Sequence, residues 1–362
     1  MTITVPRIRD FCVPIEALLH MLFPDAKVLI PPKNSKKTLE LGARHSPEFV
    51  CVPFKYNLGN MIEALEAGAD AIIVVGGGCR YGYYGEVQEQ ILRDLGYNFT
   101  FVSFYGKEGL KLRQAYKTLQ TVGCKVSYPY YLYALLLASR MFKLMDKNDA
   151  FIRENVGFET RANSFEALKK EFYAELLPVR SFTSLRRTAR KYNRAFKALP
   201  VNPPVKPLHV GIVGELYTVM EPFANFFMEK ALAKYNIRVS RFTDADYLLF
   251  KDKRRKEKRN LKEAGGYVKY YIGADGTHSV AKCRSLALEG CDGVIHVKPF
   301  GCMPENSAMP ALINIGADHN MPVLFFSFDA QTSEQGVKTR LEAFYDMLVM
   351  RKEKLTTETN SL

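Results

Sequence analysis

The chain has 362 residues, 47% of them hydrophobic and 12% aromatic, with 51 Lys and Arg against 38 Asp and Glu for a net charge of +13. That length exceeds one small domain and implies two or three domains of about 100–200 residues. No continuous apolar run reaches the ~18 residues of a membrane span, and no nucleic-acid reading motif accompanies the positive charge, so neither membrane nor nucleic acid is expected as a partner. The opening residues MTITVPRIRDF lack a basic-then-apolar secretory pattern, so a cytoplasmic location is expected, where a disulfide framework is not.

In chain order, residues 1–125 read as a first α/β domain. Apolar strands are predicted at 26–30, 71–75 and 99–104, with amphipathic helices at 14–22, 58–67, 86–95 and 110–121. The alternation of strand and helix implies a parallel sheet. Residues 126–200 carry helical periodicity and little β-branched content, and read as a helical insertion. The proline-rich stretch 201–207 is a stiff linker, because proline fixes φ and stops helices. Residues 208–350 return to βα units, with strands at 210–213, 293–297 and 323–328 and helices at 220–234, 245–264, 277–289, 306–315 and 334–350. Residues 351–362 are expected to be a frayed tail. The fold class is thus α/β, with two flavodoxin- or Rossmann-like parallel sheets and a helical segment between them.

Seven cysteines are present, none in a CxxC pair, which argues against zinc-ribbon and thioredoxin-like sites. Ligands bind beyond the carboxyl ends of strands in open parallel sheets. Cys79 follows the strand AIIVV and Gly76-Gly77-Gly78, Cys302 follows GVIHV in VKPFGCMPE, and Cys51 precedes a helix in SPEFVCVPFKYNLGN. Gly77, Gly78 and Gly301 let backbone approach a bulky group, and Arg80 and Tyr84 flank Cys79. Glu215 and Tyr217 in VGELYT sit at the end of the first strand of the second domain, suited to a supporting or substrate-contacting role. Cys12 lies just before a helix. On these residues alone, a metal site and a set of small buried thiols both stand open. Cys283, Cys291 and Cys124 read as packing residues. The basic run at 251–258 reads as a solvated helix face or as a docking surface for an acidic partner. The apolar, tyrosine-rich SYPYYLYALLLASRMF is either helical core or an interface.

Four longer motifs, SPEFVCVPFKYNLGNMIEALEAGAD, GGGCRYGYYGEVQEQILRDLGY, VGELYTVMEPFANFF and DGVIHVKPFGCMPENSAMPALI, together resemble the 2-hydroxyacyl-CoA dehydratase and benzoyl-CoA reductase-like family. The likeness is nearer to its stand-alone branch related to the large CoA-enzyme activase proteins. It spans about residues 10–350, with the helical middle weakly covered. The resemblance implies two flavodoxin-like sheets with an iron–sulfur cluster in the crevice between the domains. The family's three cluster cysteines fall at Cys51, Cys79 and Cys302. Three thiolates on a four-iron cube leave one iron open. The resemblance further implies a [4Fe–4S] cluster, low-potential reductive chemistry, an ATP-dependent activase as electron donor, and a homodimer or paralogous heterodimer. An acyl-CoA or another small substrate is implied with it. It leaves open a double-cubane [8Fe–9S] cluster that reduces small molecules, and a non-catalytic electron relay; no catalytic residue can be named. The sequence departs from the branch in having Cys79 alone where relatives often carry two cysteines, and in lacking the long N-terminal helical segment of the acyl-CoA dehydratase subunits.

Overall fold

The structure is a computed structural model that describes residues 1–74, 79, 81–104, 111–243 and 253–360. The chain divides into two compact units. The first comprises Met1–Asp146 and Ala167–Ala195, and the second comprises Lys147–Glu166 and Phe196–Leu362.

In the first unit the elements run β1 (Thr2–Thr4), α1 (Cys12–Leu22), β2 (Lys27–Leu29), α2 (Lys36–His45), α3 (Val52–Glu66), β3 (Ala71–Val74), α4 (Tyr81–Asp94), β4 (Thr100–Ser103) and α5 (Leu112–Thr121). The sheet has the order β2-β1-β3-β4, every pair parallel. Its strand β3, AIIV, is buried along its whole length, as expected of a central strand covered on both faces. The helix α3 buries Phe54, Leu58, Met61, Ile62 and Leu65 in one cluster with Ile72, Val74, Leu92 and Phe99. Helices α2 and α3 cross on Gly42 and Gly59. A Cβ on Gly42 would lie 1.6 Å from the Lys55 carbonyl oxygen, and one on Gly59 would lie 1.8 Å from that of Thr38.

The second unit repeats the plan. Its elements are β5 (Leu208–Gly214), the short helices α9 (Leu216–Met220) and α10 (Met228–Ala233), β6 (Ile237–Arg241), α11 (Lys253–Glu263), α12 (Gly276–Leu288), β7 (Gly293–Pro299), α13 (Met303–Asp318), β8 (Val323–Phe328) and α14 (Glu334–Asn360). The numbers α6 to α8 belong to the helices between the two sheets, Tyr128–Asn155, Ser164–Leu176 and Phe182–Ala198. The sheet order is β6-β5-β7-β8, again parallel throughout. Val280 and Leu286 of α12 and Ala308, Leu312 and Ile315 of α13 pack with Val294 of β7 in the core.

The α/β class and the two parallel sheets are as expected, and several boundaries differ. The stretch 126–200 is helical, and the two units divide it. Residues of α6 up to Asp146 belong to the first unit and those from Lys147 to the second, while α7 and α8 lie mostly in the first. Much of the tyrosine-rich face of α6 is internal: Tyr131, Ala134, Leu137, Ala138, Met141 and Phe142 are buried, while Tyr130 and Leu136 are exposed. The single helix expected at 220–234 is broken in two. Pro222 follows the last turn of α9, and proline cannot supply the next helical N–H. Asn225 then bridges the gap, donating to the carbonyls of Thr218 and Val219 and accepting from Met228 N–H. The last helix runs through Asn360 rather than ending at 350, which replaces most of the expected frayed tail. Among the described residues no helix is long and apolar enough to cross a membrane.

Candidate functional site

A strand order of 2-1-3-4 reverses direction between its first and third strands. The loops leaving the carboxyl ends of those strands diverge, and a ligand crevice opens there. Both sheets have this switch point, after β1 and β3 in one and after β5 and β7 in the other.

In the first unit, Cys51 is the N-cap of α3, with extended backbone (φ −67°, ψ 154°) and Pro53 in the first turn. Proline is preorganised for a helix start, where its missing N–H costs nothing. The Cys51 carbonyl accepts from Phe54 N–H, and its Sγ lies 3.1 Å from the Tyr84 hydroxyl. Tyr84 is held by an edge-on contact with Phe54, ring centroids 4.8 Å apart. Burial, and then the neighbouring Cys51 thiol, push the Tyr84 hydroxyl well above the usual phenol range, and the Cys79 thiol adds to the effect. Cys51 and Cys79 therefore both lie within electrostatic reach of one hydroxyl. Cys79 is exposed, and its carbonyl accepts from Gly82 N–H at the start of α4. Gly77, Gly78 and Arg80 lie outside the described residues.

In the second unit, Cys302 is the N-cap of α13, with Pro304 in the first turn and its carbonyl accepting from Asn306 N–H. Gly301 has φ +74°, a conformation that favours glycine, and a Cβ there would meet nothing within 4 Å. Phe300 and Met303 beside it are exposed, as is Phe49 near Cys51. Lys298, at the end of β7, is buried; desolvation lowers its pKa, while Cys302 and Glu305 oppose that shift.

Beneath Cys302 lies a group of carboxyls. Glu305 of α13 is fully buried, accepts from Ser279 Oγ at 3.2 Å and lies 2.7 Å from His296 Nε2. His296 Nδ1 is buried without a hydrogen-bond partner. Glu215 caps α9, accepting from Tyr217 N–H, Thr218 N–H and the Thr218 hydroxyl. Burial raises its pKa against those donors. Asp275, the N-cap of α12, accepts from Leu216 N–H at 3.3 Å, and its carboxyl is pushed up to about 8 by burial and by the charges of Glu215 and Glu305.

Solvent exposure sorts the cysteines. Cys79 is exposed and Cys51 and Cys302 are partly so, whereas Cys12, Cys124, Cys283 and Cys291 are buried. Burial raises Cys12 to about 11 and Cys283 and Cys291 to about 12, and it raises Cys124 as well. Such thiols resist the deprotonation that metal ligation needs. Tyr217 is only 1% exposed, and it packs into the core. Among the described residues no three His, Cys, Asp or Glu side chains are gathered closely enough to hold a metal ion. Cys51 and Cys79 belong to one unit and Cys302 to the other. What these three offer suits an iron–sulfur group: reachable thiols at helix starts, with open space beside Gly301.

Sequence reasoning passed over Glu305, Asp275 and Ser279. It also passed over the recurrence of Cys-x-Pro in CVP at 12–14, CVP at 51–53 and CMP at 302–304. Each begins a helix, which is the signal proline at that position carries. A scan against protein-family models finds no match to this sequence, and comparison with curated proteins finds no significant relative.

Proposed function

We propose that Cys51, Cys79 and Cys302 together hold a [4Fe–4S]-type cluster. On this reading the chain serves low-potential one-electron chemistry, either as a reductase or dehydratase-like enzyme component or as a relay, with an ATP-dependent activase as donor. The observation that carries the reading is that these three cysteines, picked out by their motifs, are the three of the seven that reach solvent. Bound there, such a cluster would take up and pass on single electrons, with one iron left open to an acyl-CoA or another small substrate. The chain's own residues have simpler tasks. The Tyr84 hydroxyl donates to the Cys51 sulfur once that sulfur is a thiolate. Lys298 sets a positive charge near Cys302, and first-turn N–H groups of α3 and α13 favour negative charge at the two N-caps. A double-cubane [8Fe–9S] cluster would call on further thiolates, and the remaining four are buried with raised pKa values; the single cube is the reading adopted. The excess of Lys and Arg suits an acidic docking partner, and the exposed Phe49, Phe300 and Met303 suit a partner chain or substrate that covers them.

The test is anaerobic purification with iron and sulfide counts and a visible absorption spectrum. About four irons per chain are expected, lost in Cys51→Ala, Cys79→Ala and Cys302→Ala but kept in Cys291→Ala. Full iron retention in any of the first three removes that residue from the set. A count near eight selects the larger cluster.

A further inference from the structure

The second unit contains a cavity of about 380 Å³ that the cluster reading does not use. It lies at the carboxyl end of β6, against α11, α12 and the start of the unit at Ala150 and Arg153. Strand β6, IRVSR, alternates inward and outward, with Ile237 and Val239 buried. The next inward position holds Arg241, where the pattern calls for an apolar residue. The side chain of Arg241 is 1% exposed, and that of Arg153 is 5% exposed.

Charge at this cavity does not balance. Arg241 lies 3.2 Å from Glu229 and Arg153 lies 4.0 Å from the same carboxylate oxygen. Lys282 and Arg259 likewise share Glu263, at 2.7 and 3.6 Å. The remaining carboxylate on the wall, Glu154, is answered by Arg238 at 3.5 Å. Four cations thus share two carboxylates, an excess of two positive charges. Two of the cations are guanidiniums withdrawn from water, and a buried charge without full compensation is costly. The Nε and Nη1 of Arg153 have no hydrogen-bond partner.

We infer that this cavity is a binding site for a phosphorylated small molecule, whose phosphoryl dianion supplies the missing negative charge between Arg153, Arg241 and Lys282. An arginine fork matches a phosphoryl group with paired N–H donors. The volume exceeds what one inorganic phosphate fills and falls in the range of small-ligand pockets, about 300–1,000 Å³. His278, in the first turn of α12, forms part of the wall and stands beside the ligand's organic portion. The inference is independent of the cluster, because none of these residues is a proposed ligand.

Isothermal titration calorimetry of the full chain with inorganic phosphate and with pyrophosphate, at constant ionic strength set with chloride, tests it. Saturable phosphate binding that sulfate displaces is expected. Arg153→Met should weaken it by about tenfold or more, the loss of charge-assisted hydrogen bonds, while leaving the ligand-free thermal midpoint unchanged or raised, since a strained charge is removed. Lys282→Gln, on the cavity wall, should weaken binding severalfold with the fold intact, and it stands in should Arg153→Met fail to fold. Iron content should match wild type in both variants. Absence of saturable binding, or equal phosphate affinity in wild type and both variants, overturns the inference.

Discussion

The two units follow one plan, with the same order of strands and helices around the same 2-1-3-4 sheet, yet they furnish their switch points differently. Cys79 and Cys302 hold matching places, each in the loop between the third strand and the helix after it. The N-cap of the helix before that strand is Cys51 in the first unit and Asp275 in the second. One corner therefore presents two thiols and a tyrosine hydroxyl, and the other presents a single thiol above a buried set of carboxyls, a histidine and a lysine. The difference teaches that the shared fold fixes where reactive groups stand, while a few side chains at those stations fix what they do.

Several measurements would break or sharpen that contrast. The largest effect is expected from copying one corner into the other. Cys51→Asp puts the second unit's residue at the first unit's N-cap, and it should fold, because Asp caps helices well. Iron content after anaerobic reconstitution should fall to background, and normal iron would sink the ligand assignment. Next is Glu305→Ala, which strands the buried His296 Nε2 and Ser279 hydroxyl. It should destabilise the chain by roughly 3 kcal/mol, with two buried groups each losing a partner worth ~1–3 kcal/mol, read from urea denaturation. A smaller effect is expected in thiol chemistry. Iodoacetamide applied to the iron-free protein and followed by mass spectrometry should modify Cys79 first and Cys51 and Cys302 later. Cys12, Cys124, Cys283 and Cys291 should stay protected until unfolding. Early labelling of Cys291 would contradict its burial.

The smallest effect is a pH dependence. The Asp275 carboxyl is raised in the folded chain from 3.8 to about 8. Below 3.8 it is protonated in both folded and unfolded chains and imposes no penalty. Between 3.8 and about 8 the unfolded chain releases this proton more readily, so stability declines as pH rises, and above about 8 the loss levels off. Asp275→Asn should flatten that slope in urea midpoints taken across the interval. An unchanged slope would show that another group is responsible.

The sheets were legible in the sequence where strands are long and apolar, as in AIIV and GVIHV. The missed strands explain themselves. In β1 only Ile3 breaks a run of threonines, and in β6 an arginine occupies an inward slot. Helix α2 announces itself at Ser35 and Thr38, whose side chains form a reciprocal capping box, but the residues after it are too polar for an apolar stripe to show. The three exposed cysteines were legible because glycine, proline and strand ends punctuate the chain around them. The carboxyl group beneath Cys302 was not, because Glu215, Asp275 and Glu305 are far apart in sequence and converge only through the topology of the sheet.

The crossing of α2 and α3 has a consequence for genetics. At Gly42 a single added methyl would collide with the carbonyl of Lys55, in the turn that follows Cys51. Alanine at position 42 can be accommodated only if the start of α3 moves, and Cys51 would move with it. A screen for alleles that lose iron should therefore return substitutions at Gly42 and Gly59, residues with no chemistry of their own, alongside those at the cysteines.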